Sequence, residues 1–254
     1  MKIIDAHCHV GQGCGLEGTP HPDPLPQGAR AERLLGEMDR CGVSAAVIVP
    51  ADRCIAVYNT EGNDEVLSAA KRHPDRFIPF ATANPWYGDR ALDELTRAFD
   101  LGAAGLKLHP VIRGFQIIDE ICFPLVELAV RLRKPIYFHT GTPVCSSPFQ
   151  LTELAMRYPE GVFIMGHAAY SDYWNDVSAS VKCVPNILIE TSQHLASFIR
   201  TLVEQVGAEK LIYGSDWPKT DMGIEIEKIT RYIAGDDLEK ILAGNIMRVL
   251  GGGG

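Results

Sequence analysis

Eight short apolar runs rich in β-branched residues, each followed by a stretch with helical spacing, predict a (β/α)8 (TIM) barrel within 254 residues. The runs are near-continuous rather than alternating, as expected for parallel strands covered on both faces. From Ile4 to Ile212 they recur every ~30 residues, the length of one βα unit. A doubly wound open sheet is the alternative. It would call for a Gly-rich phosphate turn opening a helix, and Gly11-Gln12-Gly13-Cys14-Gly15 leads into a Pro-rich loop instead.

The first run, Ile3–Ile4, meets Asp5 where a signal peptide needs apolar residues, so it reads as a strand. Residues 11–28 follow, with five glycines and four prolines before any helix. A loop of this length is expected to be functional, here as a lid or wall over the barrel mouth. The helix expected at Ala31 to Cys41 then precedes the strand Ala45 to Pro50. Next come helix Glu61 to Arg72, strand Phe77 to Ala83, helix Arg90 to Leu101 and strand Gly105 to His109. The helix Asp119 to Arg131 has the clearest stripe, with Ile121, Leu125, Leu128, Ala129 and Leu132 on one face. Strands Pro135 to His139, Val162 to His167, Ile187 to Glu190 and Leu211 to Asp216 complete the set. They are followed by helices at Phe149 to Arg157, Asp172 to Lys182, His194 to Val206 and Gly223 to Ala234. Residues 1–250 thus read as one domain, with 251–254 a glycine tail.

Composition narrows the function. Apolar residues make up 46% and charged residues 22%, which excludes a largely disordered chain. The net charge of −8, with no Lys/Arg cluster, argues against nucleic acid as a partner. No run approaches the ~20 apolar residues of a membrane span. Seven scattered cysteines without a C-x-x-C pair point to a reducing, cytoplasmic setting rather than a disulfide framework. A small-molecule substrate is expected. If it is anionic, local positive charge must hold it against the overall field.

In a barrel the chemistry sits at the C-terminal ends of the strands. Strand 1 ends Asp5-Ala6-His7-Cys8-His9, and period-two alternation is expected to put Asp5, His7 and His9 on one face. Strand 4 offers Lys107 and His109, strand 5 His139, strand 6 His167 and strand 8 Asp216. One strand-end histidine is an ordinary hydrogen-bonded core residue. Several titratable groups in one buried layer are costly unless a cation reconciles them. An N/O donor set favours Zn2+, with Mn2+, Fe2+ or Co2+ as alternatives, in an open site that retains water.

These motifs resemble the amidohydrolase superfamily, and within it the single-metal branch related to aminocarboxymuconate-semialdehyde decarboxylase. The resemblance rests on I-I-D-A-H-C-H (Ile3 to His9), G-L-K-L-H-P (Gly105 to Pro110) and P-I-Y-F-H-T-G (Pro135 to Gly141). It continues through M-G-H-A (Met165 to Ala168), Y-G-S-D-W-P (Tyr213 to Pro218) and I-L-A-G-N-I-M-R-V-L (Ile241 to Leu250). It implies His7, His9, His139 and Asp216 as metal ligands and His167 as the acid/base that manages a proton at metal-bound water, with Asp216 assisting. A lysine at the end of strand 4 is carboxylated in two-metal members, so Lys107 raises the question of a second metal, and the motif context favours one. Lys107, His109, Arg113 and Trp217 are candidate substrate contacts: Arg113 as a fork for a carboxylate, Trp217 as a pocket wall. Trp86, Tyr170, Tyr173, Trp174 and His194 lie in strand-end loops, and Asn245 is expected to dock the last helix. The resemblance also implies that a homodimer is common.

Two reactions share this site. One is hydrolysis of a lactone, ester or amide of a small, carboxylated substrate. The other is non-oxidative decarboxylation of an aromatic or enoic acid. Because 254 residues leave little room for the insertions of longer decarboxylases, the sequence reading favours hydrolysis.

Overall fold

The computed structural model describes residues 1–11, 31–170 and 173–251. Eight parallel strands lie side by side in sequence order, β1 (Ile4–Val10), β2 (Ala45–Pro50), β3 (Phe77–Ala81), β4 (Gly105–Leu108), β5 (Ile136–His139), β6 (Phe163–Gly166), β7 (Ile187–Glu190) and β8 (Leu211–Ile212). Main-chain hydrogen bonds from Ala6 N to Tyr213 O, Asp216 N to His7 O and His9 N to Trp217 O join the last strand's extension to the first. The predicted barrel is therefore present. Only the two-residue β8 falls well short of its expected span, because Gly214 to Asp216 leaves regular strand geometry to aim Asp216 inward.

The helices are α1 (Ala31–Cys41), α2 (Asp52–Ala56), α3 (Asn59–Arg72), α4 (Asp89–Asp100), α5 (Pro110–Arg113), α6 (Phe123–Arg131), α7 (Pro148–Arg157), α8 (Trp174–Lys182), α9 (Ala196–Val206), α10 (Met222–Thr230), α11 (Gly235–Glu239) and α12 (Asn245–Leu250). Local chemistry sets several starts. Ser147 and Gln150 form a reciprocal capping box ahead of α7, with Pro148 in its first turn, and Asp221 caps α10 through Ile224 N. The expected helix from Asp119 begins instead as a 3-10 turn, Glu120–Cys122, with Pro124 fixing the first turn of α6. Asn245 is buried and donates to Ala208 O and Leu211 O, tying α12 beneath the barrel.

Two apolar layers result. Ile4, Ala6, Val47, Val49, Phe80, Tyr137, Ile164, Leu188 and Ile212 fill the barrel, while a larger cluster lies between sheet and helices. Glycines make room where inward residues are large. A Cβ on Gly105 would meet the Phe80 ring at 2.5 Å, and one on Gly166 would meet the Tyr137 hydroxyl at 2.5 Å. Gly214 similarly clears Glu190.

One strand corrects the sequence reading. The β1–β2 register slips between Asp5 and Cys8. Ile4 and Ala6 accordingly face the interior, whereas Cys8 and Val10 belong to the outer cluster. This irregularity breaks period two, so Asp5 does not join His7 and His9. Its Oδ1 instead accepts from His7 N and Ser215 N, bracing the join between β1 and the segment after β8.

The long loop expected over 11–28 lies, apart from Gly11, outside the described residues, as do Cys14 and the tail 252–254. Cys8, Cys41, Cys122, Cys145 and Cys183 are free thiols. No described helix is long and apolar enough to cross a membrane.

Candidate metal and active site

His7, His9, Lys107, His109, His139, His167 and Asp216 are all buried and meet at the C-terminal end of the barrel. His7, His167 and Asp216 each offer a ligand atom, and these atoms lie within 4.8 Å of one another. The His7 ring stands 4.9 Å from His9 and 5.2 Å from His167, centroid to centroid. His139 is one ring further out, with its Nδ1 3.1 Å from His167 Nε2 and its face stacked at 3.8 Å on His109. The expected ligands are thus neighbours, but the tightest grouping holds His167 where the resemblance implied His9 and His139.

Backbone strain concentrates here. His167, Ala168, Ala169 and Tyr170 have consecutive φ values of 61°, 44°, 60° and 48°, and Gln193 and Asp216 add 60° and 57°. A left-handed conformation costs ~1–2 kcal/mol per non-glycine residue, so the surrounding structure must enforce it. Gly141, at φ 93°, allows that turn to exist, since a Cβ there would overlap the Ala169 carbonyl.

The electrostatics fit a cation. His9 Nδ1 donates to Pro50 O at 2.9 Å, so its Nε2 is bare when the ring is neutral. That Nε2 lies 3.1 Å from Asp216 Oδ1, an ion-pair distance for a protonated ring and a clash of lone pairs for a neutral one. Among the described residues Asp216 Oδ1 has no hydrogen-bond donor, while Oδ2 accepts from Gln193 Nε2. A metal between bare imidazole nitrogens and an unsatisfied carboxylate oxygen removes both problems. Burial pushes the His167 pKa well below its ordinary value, and His139 and Lys107 add to the effect; burial, followed by Lys107, lowers His139 to about 3. Both rings are therefore neutral and able to ligate or accept a proton. Burial works against ionised Asp216, but Lys219, His9 and Lys107 outweigh it and hold its pKa down.

Lys107 donates to His7 Nε2 at 3.1 Å, with its ammonium 3.8 Å over the Tyr137 ring. Burial drops its pKa to about 7, although Asp216 pulls the other way. It does not pair with Asp5. His109 is buried, with no partner for its Nδ1 among the described residues.

Two expected substrate contacts have other partners in the fold. The Arg113 guanidinium is buried and donates to Ile55 O, Ala83 O and Thr82 Oγ1, while Thr82 Oγ1 in turn donates to Lys107 O. Each of its three nitrogens thus makes one such bond, which braces the β3–β4 ends. Trp217 belongs to the cluster between sheet and helices, with Arg33 of α1 6.0 Å from its ring. The slip in β1 carries this neighbour of Cys8 to the outside. Among the loop aromatics, Tyr170 stacks at 4.6 Å on His167, whereas Trp86 donates to Arg113 O and Trp174 packs near Phe198.

The sequence reading missed Tyr137, Glu190, Ser192, Gln193, Asp52 and Lys219. Lys219 pairs with Asp52 at 2.9 Å and sits 3.5 Å from His9 Nε2. Tyr137 and Glu190 carried a usable signal, since period two on β5 aligns Tyr137 with His139, and Glu190 is an acid closing an apolar strand. A groove of about 910 Å3, lined in part by Lys134, Asn186, Lys210 and Arg248, opens at the opposite end of the barrel and contains none of this cluster.

Comparison with known proteins follows the same lines. The amidohydrolase family model matches residues 4–252. The chain belongs to the amidohydrolase family. No curated protein matches it. Among solved structures, it is similar to 5-carboxyvanillate decarboxylase from Sphingomonas paucimobilis, at 16% identity over 98% of both chains and a TM-score of 0.78. It is also similar to 2,6-dihydroxybenzoate decarboxylase from Rhizobium, at 17% identity over 98% of both chains and a TM-score of 0.74. A third is the dihydroxybenzoic acid decarboxylase from Polaromonas sp. JS666 with bound manganese and the inhibitor 2-nitroresorcinol. That match has 15% identity over 98% of this chain and 97% of that one, with a TM-score of 0.77.

These neighbours overturn the preference for hydrolysis. It rested on too little length for a decarboxylase, yet this amidohydrolase-family chain spans 98% of such enzymes. The length argument therefore fails. The Polaromonas neighbour holds manganese, and nothing singles out zinc.

Proposed function

We propose that this amidohydrolase-family protein is a divalent-metal-dependent, non-oxidative decarboxylase of a small aromatic acid. The observation that carries the reading is the strand-end cluster of bare imidazole nitrogens and the unsatisfied Asp216 Oδ1, on a barrel shared end to end with hydroxybenzoate-type decarboxylases. His7, His9, His139 and Asp216 would hold one metal, with His167 free for proton transfer. The closeness of His7, His167 and Asp216 favours a second grouping in which His167 ligates. A bound divalent ion supplies local positive charge that holds an anionic substrate against the chain's net −8.

The chain's own residues supply the rest. The Lys107 and Lys219 ammonium groups flank the cluster and attract a carboxylate, and the His109–His139 stack and the Tyr170 ring offer flat faces to an aromatic ring. In the reaction a proton adds to the ring carbon bearing the carboxylate. The carbon–carbon bond then breaks, its electron pair returns to the ring, and carbon dioxide leaves. His167, neutral and braced through Nδ1 by Ser192 Oγ at 2.8 Å, would take up a proton from water at its bare Nε2 and pass it to that carbon, the hydroxide left behind combining with the carbon dioxide as bicarbonate. Lys107 acts through an uncarboxylated ammonium group rather than as a carboxylated bridge between two metals.

The test is a panel of hydroxybenzoates and lactones assayed for carbon dioxide and for acid release with manganese supplied. Carbon dioxide equal to the substrate consumed, without acid release, is expected. Acid release without carbon dioxide would refute the reading.

A further inference from the structure

Glu190, the last residue of β7, lies beneath the cluster and is fully buried. Its Oε2 accepts from Tyr137 Oη at 2.6 Å, Ser192 Oγ at 3.0 Å and His167 N at 3.0 Å, and its Oε1 accepts from Ser192 N at 2.6 Å. The two main-chain groups can only donate. Each hydroxyl has a single proton, and with Glu190 ionised that proton goes to the carboxylate in both cases.

The consequence runs outward along two arms. With its proton committed to Glu190, the Tyr137 oxygen can only accept from His7 Nδ1, 2.8 Å away. His7 must therefore carry its proton on Nδ1 and keep Nε2 bare, which agrees with Lys107 donating to that Nε2. Likewise Ser192 Oγ can only accept from His167 Nδ1 at 2.8 Å. His167 Nε2 is then bare and accepts from His139 Nδ1 at 3.1 Å, which leaves His139 Nε2 bare in turn.

The geometry points to Glu190 as a positioning residue: one buried carboxylate fixes the tautomers of His7, His167 and His139 through the Tyr137 and Ser192 hydroxyls, so that the cluster presents unprotonated Nε2 atoms. Two packing features support the arrangement. Gly214 clears the space occupied by the Glu190 carboxylate, and Gly166 clears that of the Tyr137 hydroxyl. Fixing ligand tautomers through outer partners is a known means of tuning a metal site, and losing such a partner typically lowers metal affinity ~10–100-fold. The inference concerns the protein's own hydrogen-bond order and holds whichever acid the site takes.

Glu190→Gln keeps the shape but introduces an amide donor, which cannot accept from both hydroxyls and both main-chain groups. The experiment is long-range 1H–15N NMR of the histidine rings in metal-free protein, which distinguishes Nδ1–H from Nε2–H tautomers, together with manganese titration. In the wild type, His7, His139 and His167 are expected as Nδ1–H tautomers. In Glu190→Gln, His7 and His167 lose that uniform state and manganese affinity falls ~10–100-fold. Tyr137→Phe should disturb His7 alone, and Ser192→Ala should disturb His167 and, through it, His139. This arm-by-arm split is not expected of a residue that merely fills space, and the single-arm variants carry the test if Glu190→Gln fails to fold. Nδ1–H tautomers unchanged in folded Glu190→Gln, or in both single-arm variants, would overturn the inference.

Discussion

The same substitution at two glycines should move stability in opposite directions. At Gly166 an added Cβ would lie 2.5 Å from both the Tyr137 hydroxyl and its ring edge, against 3.4 Å for an ordinary contact. Tyr137 is fully buried on β5 and would have to retreat by about 0.9 Å. Its hydrogen bonds to Glu190 and His7, at 2.6 and 2.8 Å, would then exceed bonding distance. Loss of the bond to the carboxylate costs ~1.5–3 kcal/mol and of the one to His7 ~1 kcal/mol. Overpacking adds ~1–3 kcal/mol, and the backbone entropy gained on replacing glycine returns under ~1 kcal/mol. Gly166→Ala should therefore destabilise by about 4 kcal/mol, lowering Tm by roughly 10 °C in a chain of this size. Gly36, exposed within α1 with nothing among the described residues within 4 Å of an added Cβ, lacks the clash. Gly36→Ala should stabilise by ~0.5–1 kcal/mol through helix propensity. Urea and thermal unfolding of the two variants in parallel give both numbers. Equal tolerance at the two positions would refute the claim that Gly166 exists to admit the Tyr137 hydroxyl.

Further expectations follow from other particulars of the structure. Arg133 is exposed at φ 54° just beyond α6, so Arg133→Gly should raise stability by ~1 kcal/mol, read as an increase in Tm. Burial raises the Glu94 pKa, but hydrogen bonds from Arg97, Asn63 and Thr60 outweigh it and hold the pKa below its ordinary 4.5. A depressed carboxyl contributes stability above the unfolded value and loses it as pH falls, so the gap between wild type and Glu94→Gln should shrink below about pH 4.5 in urea titrations. His139→Ala should lose bound metal with the barrel still folded by circular dichroism. Retained metal, together with loss in His167→Ala, would select the grouping of His7, His167 and Asp216.

The barrel was legible because its signal is repeated. Apolar runs such as Ala45 to Pro50 and Ile187 to Glu190 appear as strands with the same bounds, and α1 occupies the expected Ala31–Cys41. Short helices such as α2 and α5 escaped because four or five residues show no periodicity. The cluster was legible because its members close strands. What could not be read were departures from regular geometry and events between distant segments. The slip in β1 sends Asp5 to one role and His7 and His9 to another, although all three share one parity in sequence. Arg113 resembles an exposed basic residue until α5 folds it beneath Ala83 and Thr82. Glu190 acquires its role from Tyr137, 53 positions away, through a contact that no local pattern announces. The choice of reaction failed for a different reason: the metal site is common to both chemistries, and chain length was a poor discriminator between them.

The central claim is that the strand-end histidines and Asp216 exist to hold a metal. Elemental analysis of metal per chain, on protein purified without a His-tag or chelator and again after reconstitution with manganese, tests it most directly. Close to one divalent ion per chain is expected, with loss of the ion in Asp216→Asn. A folded protein that contains no metal and takes up none on reconstitution would contradict the account.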